Sequence, residues 1–237
     1  MLKEFVEKIV ALAGPKTVEI KGLNYCERGL SLVEEPGLDC VETQTLTGLV
    51  DVVKAGVDNL VSANYLLVVE DHVGVSLVHR TTDVYGRRIR LARAALADGQ
   101  PFPFGRFVDR EEFVIGLQSQ FAQRGDVLEV LKLASNLTVS QVAQSEDDGI
   151  AQRTTVKQGI ALKENVTVKG RVTLHPFRTF REIEQPGSEF VFRLRSKDGA
   201  VPECALFEAD GGKWKLDAVL AIKRWLEAQW LNIPVIA

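Results

Sequence analysis

The chain has 237 residues, 46% of them apolar and 26% charged, proportions that exclude wholesale disorder and leave enough length to bury a large core. A formal net charge of −3 gives no global attraction to nucleic acid or an anionic membrane, so any such affinity has to come from local patches. The scattered cysteines Cys26, Cys40 and Cys204, with no C-x-x-C pair, exclude a disulfide framework and point to reduced thiols in a cytosol.

The opening MLKEFVEKIVALAG reads as an amphipathic helix, with Leu2, Phe5, Val6 and Ile9 at helical spacing, stopped by Gly14-Pro15. Lys3, Glu4, Glu7 and Lys8 interrupt its apolar residues, and it lacks the cleavage site of a secretory signal. No run approaches the roughly 20 apolar residues that a spanning helix needs. The expected protein is therefore soluble, cytoplasmic and free of membrane contact, and the sequons at Asn136 and Asn165 are chance matches.

Short alternating runs at residues 17–20 and 30–33 predict a small hairpin. Thr45 or Thr47 can cap a helix reaching about Val57, with Leu49, Val50, Val53 and Val57 on one side. Strands are predicted at 65–70 and 73–79, joined by Asp71-His72, and a third at 88–96 completes a meander. DGQPFPFG, residues 98–105, reads as a connection between halves.

Two well-marked helices follow. Asp109 and Glu112 form a capping box, with Val108 and Phe113 as its hydrophobic staple, and Phe113, Leu117 and Phe121 line one face. Asp126 and Glu129 repeat the box, ahead of an apolar face of Val127, Val130, Leu131 and Ala134. Beyond Thr138 the composition turns to β: residues 166–174 predict one strand and 189–195 another, with Phe190, Phe192 and Leu194 facing in and Arg193 and Arg195 facing out. A final helix over about 213–229 has Trp214, Ala218, Ile222 and Trp225 as its stripe. Leu216, Leu220 and Trp230 lie off that stripe, an apolar surface wider than one core face requires.

The chemistry-bearing residues form no catalytic constellation. His72, His79 and His175 have neither the i, i+4 nor the H-x-H spacing that aims two imidazoles at one metal. Glu146, Asp147 and Asp148 cluster before Gly149, but Asp-Gly is also a ready turn, as is Asp210 before Gly211-Gly212. No metal, cofactor or catalytic residue is expected.

The charge map carries more. Residues 27–58 hold Glu27, Glu34, Glu35, Asp39, Glu42, Asp51 and Asp58 against Arg28 and Lys54. Residues 80–93 hold Arg80, Arg87, Arg88, Arg90 and Arg93 against Asp83, and residues 157–181 add Lys157, Lys163, Lys169, Arg171, Arg178 and Arg181 against Glu164. Such a chain can bind phosphates with a basic face, or pair acidic with basic faces between copies; strands also carry Arg and Lys simply to solvate an outer face. Phe177 and Phe180 interleave with Arg178 and Arg181, the mix that stacks on single strands, although Phe beside Pro176 also suits a core.

Four blocks resemble a family of uncharacterised phage and prophage proteins, the YfdQ-type family: GRFVDREEFVIGLQSQF (105–121), DDGIAQRTTVKQGI (147–160), VTLHPFRTFREIEQP (172–186) and ALFEADGGKWKLDAV (205–219). The resemblance implies a phage-encoded protein of a bacterial cytoplasm, in an accessory or nucleic-acid-metabolism setting, and carries no cofactor or catalytic residue with it.

The expected fold is α+β, antiparallel sheets with four to five helices in two intimately packed halves, residues 1–97 and 98–237, which can also be one domain. The expected function is a non-enzymatic accessory protein that self-assembles or engages nucleic acid. Arg87, Arg88, Arg90, Lys169, Arg171 and Arg178 are the candidate nucleic-acid face. Trp230, Leu231, Ile233, Val235 and Ile236 are the candidate contact of a homo-oligomer, the competing account being that this tail docks on its own sheet. The alternatives are a metal-dependent enzyme using Glu146, Asp147, Asp148 and Asp210, or an inhibitor of a host protein.

Overall fold

Alternating and β-branched runs in the first hundred residues build the largest sheet. The computed structural model describes residues 2–13, 16–26, 39–97, 99, 101–136, 145–147, 152–158, 161–168, 170–195 and 202–237. Helix α1 (Leu2–Ala13) is followed by a two-stranded antiparallel hairpin, β1 (Thr17–Ile20) and β2 (Leu23–Cys26). Lys21 and Gly22 both take positive φ, 51° and 78°, the geometry of a two-residue turn that matches strand twist. The hairpin is thus tighter than the 17–20/30–33 pairing expected, whose second run lies outside the described residues.

Next come β3 (Val41–Thr43), α2 (Leu46–Lys54) and a meander of β4 (Tyr65–Val69), β5 (Gly74–His79) and β6 (Arg90–Ala95). The meander pairs antiparallel, while β3 joins β6 in parallel at one edge. The other edge is β13 (Val235–Ile236), parallel to β4, so the order is β13-β4-β5-β6-β3. Edges two and three residues long leave little to template pairing with another chain. The central strand β5 is buried from Gly74 to Val78, and its Ser76 hydroxyl is satisfied by Glu70 Oε1 at 2.8 Å.

Helix α2 starts where the Thr45 hydroxyl accepts from Gly48 N, and it buries Leu46, Leu49, Val50 and Val53. Those side chains pack with Leu67, Val69, Leu77, Leu91 and Ala94 of the sheet. Helix α5 (Lys213–Glu227) buries Trp214, Ala218, Ile222 and Leu226, and Ile222 and Leu226 join this core. Leu226 therefore continues the stripe where Trp225 was expected, and Trp225 is half-buried.

A second core lies between a three-stranded antiparallel sheet and two helices. The sheet is β10 (Arg171–Leu174), β11 (Ser188–Arg195) and β12 (Glu203–Glu208); the helices are α3 (Arg110–Gln120) and α4 (Val127–Ser135). Asp109 Oδ1 accepts from Glu111 N and Glu112 N to start α3. Phe113, Leu117 and Phe121 then meet Phe190, Phe192 and Leu206. Phe102 closes the top of this aromatic group: a Cβ on Gly116 would stand 2.7 Å from its ring, so only glycine admits it there. Asp126 departs from the expected capping box. Its Oδ2 accepts from Thr173 N at 2.8 Å, tying α4 to β10 instead of capping its own helix. The strand expected over 166–174 is two, β9 (Ala161–Val168) and β10, interrupted at buried Gly170. β9 pairs with β8 (Gln152–Gln158), and β8 with β7 (Ser145–Asp147), as a separate antiparallel sheet.

The fold is α+β, with five helices and both antiparallel and mixed sheets among the described residues. The two cores do not coincide with residues 1–97 and 98–237, because Phe180, Ile183, α5 and Ile233 all enter the first core. The crossing segment is pinned by polar bonds. Thr179 Oγ1 donates to His72 O, and Gln185, 5% exposed, donates to Phe180 O and Ile183 O while accepting from Arg178 N.

Candidate interaction surfaces

Arg87, Arg88 and Arg90 are exposed and close in sequence, in the β5–β6 connection and at the start of β6. Each already has acceptors. Arg87 pairs with Asp83 at 2.8 Å, and Arg88 Nη1 donates to the carbonyls of His79 and Arg80. Arg90 and Arg93 share Glu70, at 2.8 and 3.2 Å. The segment keeps a local excess of positive charge, but a phosphate would have to compete with Asp83 and Glu70 for it.

The other expected basic residues go elsewhere. Arg171, on the outer face of β10, pairs loosely with Glu189 at 3.3 Å, both well exposed. Lys169 lies outside the described residues. Arg178 turns inward. Its guanidinium pairs with Glu208, donates to Ser188 Oγ, and stands over the Trp214 indole at 3.7 Å. Its side chain is 15% exposed, and burial lowers its affinity for a proton, opposed by Glu208 and Asp210. As a surface contact Arg178 is corrected: it is a brace between β11, β12 and α5. The Phe–Arg interleaving likewise resolves into buried Phe180 and a surface pair of Arg181 over Phe177 at 3.7 Å.

The C-terminal tail splits in two. Trp230 and Asn232 both adopt left-handed backbone, φ 56° and 53°, which turns the chain back so that Leu231 packs on the first core and Ile233 enters it. Pro234 O accepts from Leu67 N at 3.0 Å, and Val235, half-buried, pairs with Leu67 as the edge strand. Ile233 is thereby unavailable as a contact between copies. Trp230, 88% exposed, and Ile236 remain outside, as do Leu216 and Leu220 on the outer side of α5.

The three histidines and Asp210 make contacts within the fold. His72 meets Trp214 edge-on at 4.8 Å, His79 Nδ1 bonds within the turn to Thr81, and His175 Nδ1 lies against Gln185 O and Arg124. Burial lowers the His72 pKa, Asp71 opposes this, and Lys215 and Arg178 reinforce it. Asp210 Oδ1 accepts from Gly212 N in the turn that leads into α5. Glu146 and Asp147 belong to β7, and Asp148 lies outside the described residues. Among the described residues no group of three or more His, Cys, Asp or Glu is placed to hold a metal ion. A cleft beside α3 is lined by Pro101, Pro103, Arg106, Glu112 and Ser119. Among the described residues no helix is long and apolar enough to cross a membrane.

Spacing alone could not have found the Arg178–Trp214 brace, since its parts come from three separated segments. The left-handed pair flanking Leu231 had one signal, Asn232, the residue type after glycine that best tolerates that conformation. In comparisons with protein-family models, with curated proteins and with solved structures, nothing matches this chain.

Proposed function

We propose that this protein acts by binding, assembling with copies of itself, and that the surface around Trp230 is a contact in that assembly. The observation that carries the reading is Trp230 itself. A bulky residue in left-handed backbone costs about 1–2 kcal/mol, and this one displays its indole to solvent instead of burying it. Trp, with Tyr and Arg, is enriched among the residues that dominate interfaces. Ile236 on the edge strand, with Leu216 and Leu220 on α5, adds exposed apolar surface in the same C-terminal portion of the chain.

On the resemblance of residues 105–121, 147–160, 172–186 and 205–219, the setting we propose is an accessory role of a phage or prophage in a bacterial cytoplasm. A second reading, engagement of nucleic acid, is favoured by one observation, the exposure of Arg87, Arg88 and Arg90 within a single short segment. It is the weaker of the two because Asp83, Glu70 and backbone carbonyls already occupy those guanidinium groups.

The test is a pair of point changes. Deleting residues 231–237 would remove Ile233 and the edge strand from the first core, so it cannot separate assembly from folding. Trp230→Ser with Ile236→Ser leaves that core intact and is expected to lower the mass in solution without changing the circular-dichroism spectrum. An unchanged assembly in the double variant removes this surface from the account.

A further inference from the structure

None of the described side chains of helix α1 joins either core, and each of its large apolar side chains is exposed. Leu2, Phe5, Ile9 and Leu12 are 81, 62, 48 and 67% exposed. We propose that α1 is a self-association helix, whose apolar seam packs against α1 of a second copy. This deepens the self-assembly reading and rests on it, while assigning a contact separate from the Trp230 surface.

Three observations name the occupant. The first is spacing. Leu2, Phe5, Ile9 and Leu12 recur at steps of three, four and three, the a/d pattern that keeps one seam facing another helix. The second is charge. Lys3, Glu4, Glu7 and Lys8 give the polar side no net charge, with Lys3–Glu7 and Glu4–Lys8 at i, i+4. The polar sides of two identical copies therefore carry no net repulsion. An interfacial membrane helix wants its polar side rich in Lys and Arg, which this one is not. The third is area and length. With Val6 beside them, these side chains leave an apolar strip open along the helix from Leu2 to Leu12, and the exposed Val18 and Ile20 of β1 follow it in the chain. Twelve residues sit at the limit of ~12–15 below which a lone helix is marginal in water, so a partner supplies support that the two described cores do not.

The neighbouring hairpin has the same character. Val18 and Ile20 alternate onto one side of β1, both about half exposed, and a lone two-stranded hairpin is marginally stable in water. Pairing of α1 helices would bring two such hairpins into one assembly.

The experiment compares adjacent positions in the full chain by light scattering at tens of micromolar: Ile9→Glu in the seam and Val10→Glu beside it. The expected result is an assembled wild type, an Ile9→Glu mass lower by at least half, and a Val10→Glu mass unchanged. Circular dichroism and the urea midpoint verify that both variants keep the two cores, to which no described side chain of α1 belongs. An assembled wild type whose mass survives Ile9→Glu but falls in Trp230→Ser overturns the α1 contact and leaves the self-assembly reading standing. A monomeric wild type overturns both. Equal losses in Ile9→Glu and Val10→Glu overturn the seam in favour of unspecific apolar association. Flotation of a monomeric wild type with phosphatidylglycerol vesicles, abolished by Ile9→Glu, overturns it in favour of a lipid surface.

Discussion

Arg178 stands over Trp214 with its Cζ 3.7 Å from the ring centroid, and the same guanidinium pairs with Glu208 of β12. The stack joins the second sheet to α5, the helix that otherwise belongs to the first core. Arg178→Ala is expected to lower stability by about 2 kcal/mol, the worth of hydrogen bonds to a charged partner. The figure stays below that of a fully buried pair because Glu208 is 37% exposed. Arg178→Lys restores charge but not the planar stack, so it should recover only a minor part. Urea unfolding followed by tryptophan fluorescence measures both; a loss below about 0.5 kcal/mol in the alanine variant, the range of ordinary surface changes, would refute the brace.

Acidification should weaken the same junction through His72. Burial holds its folded-state pKa below the usual value near 6.5, so the unfolded chain binds the proton more readily. The stability contributed by neutral His72 is present above pH ~6.5 and is lost as pH falls from there through the lowered folded-state value. The melting temperature of the wild type should therefore drop below that pH, and His72→Phe should flatten this part of the profile. Identical profiles for the two proteins would contradict the assignment.

Thiol chemistry reports on the second core. Cys204 is fully buried there and burial pushes its pKa up to about 12, so it is a neutral thiol at any ordinary pH. Cys26 and Cys40 are partly exposed, and Cys40 is itself raised, by burial and then by Glu42. A thiol reagent at pH 8 should label Cys26 quickly, Cys40 more slowly and Cys204 only after denaturation. Native labelling of Cys204 at the rate of Cys26 would mean that the sheet opens there.

The secure parts of the sequence reading were those fixed by neighbours in the chain. Asp109 with Phe113 and Leu117 marked α3, and the alternation of Phe190, Phe192 and Leu194 marked β11, because caps and pleats are short-range. Arg178 was misread because an arginine in a Lys- and Arg-rich β-segment looks like a solvated outer face, and its partners Trp214 and Glu208 arrive only on folding. Asp126 had a cap's spacing, yet Thr173 N competed successfully for its carboxylate. The tail was ambiguous for a physical reason: docking on β4 and packing against a copy ask for the same apolar residues, and the left-handed turns at Trp230 and Asn232 sort Ile233 inward and Trp230 outward.

The basic segment yields a test of the second reading that does not remove an arginine. Glu70 accepts from both Arg90 and Arg93, so Glu70→Gln releases positive charge while keeping an acceptor for Ser76. If this surface meets phosphate, the variant should bind a single-stranded oligonucleotide several-fold more tightly at low salt, with a steeper salt dependence. Fluorescence anisotropy reads this directly. Equal affinity in variant and wild type would remove the segment as a nucleic-acid surface.

The central claim, that this protein works by assembling with itself, is tested most directly by the solution mass of the wild-type chain across a dilution series. Light scattering from tens of micromolar downward should give a multiple of the single-chain mass that decays toward one chain on dilution, as mass action requires. A mass of one chain at every concentration would contradict the account.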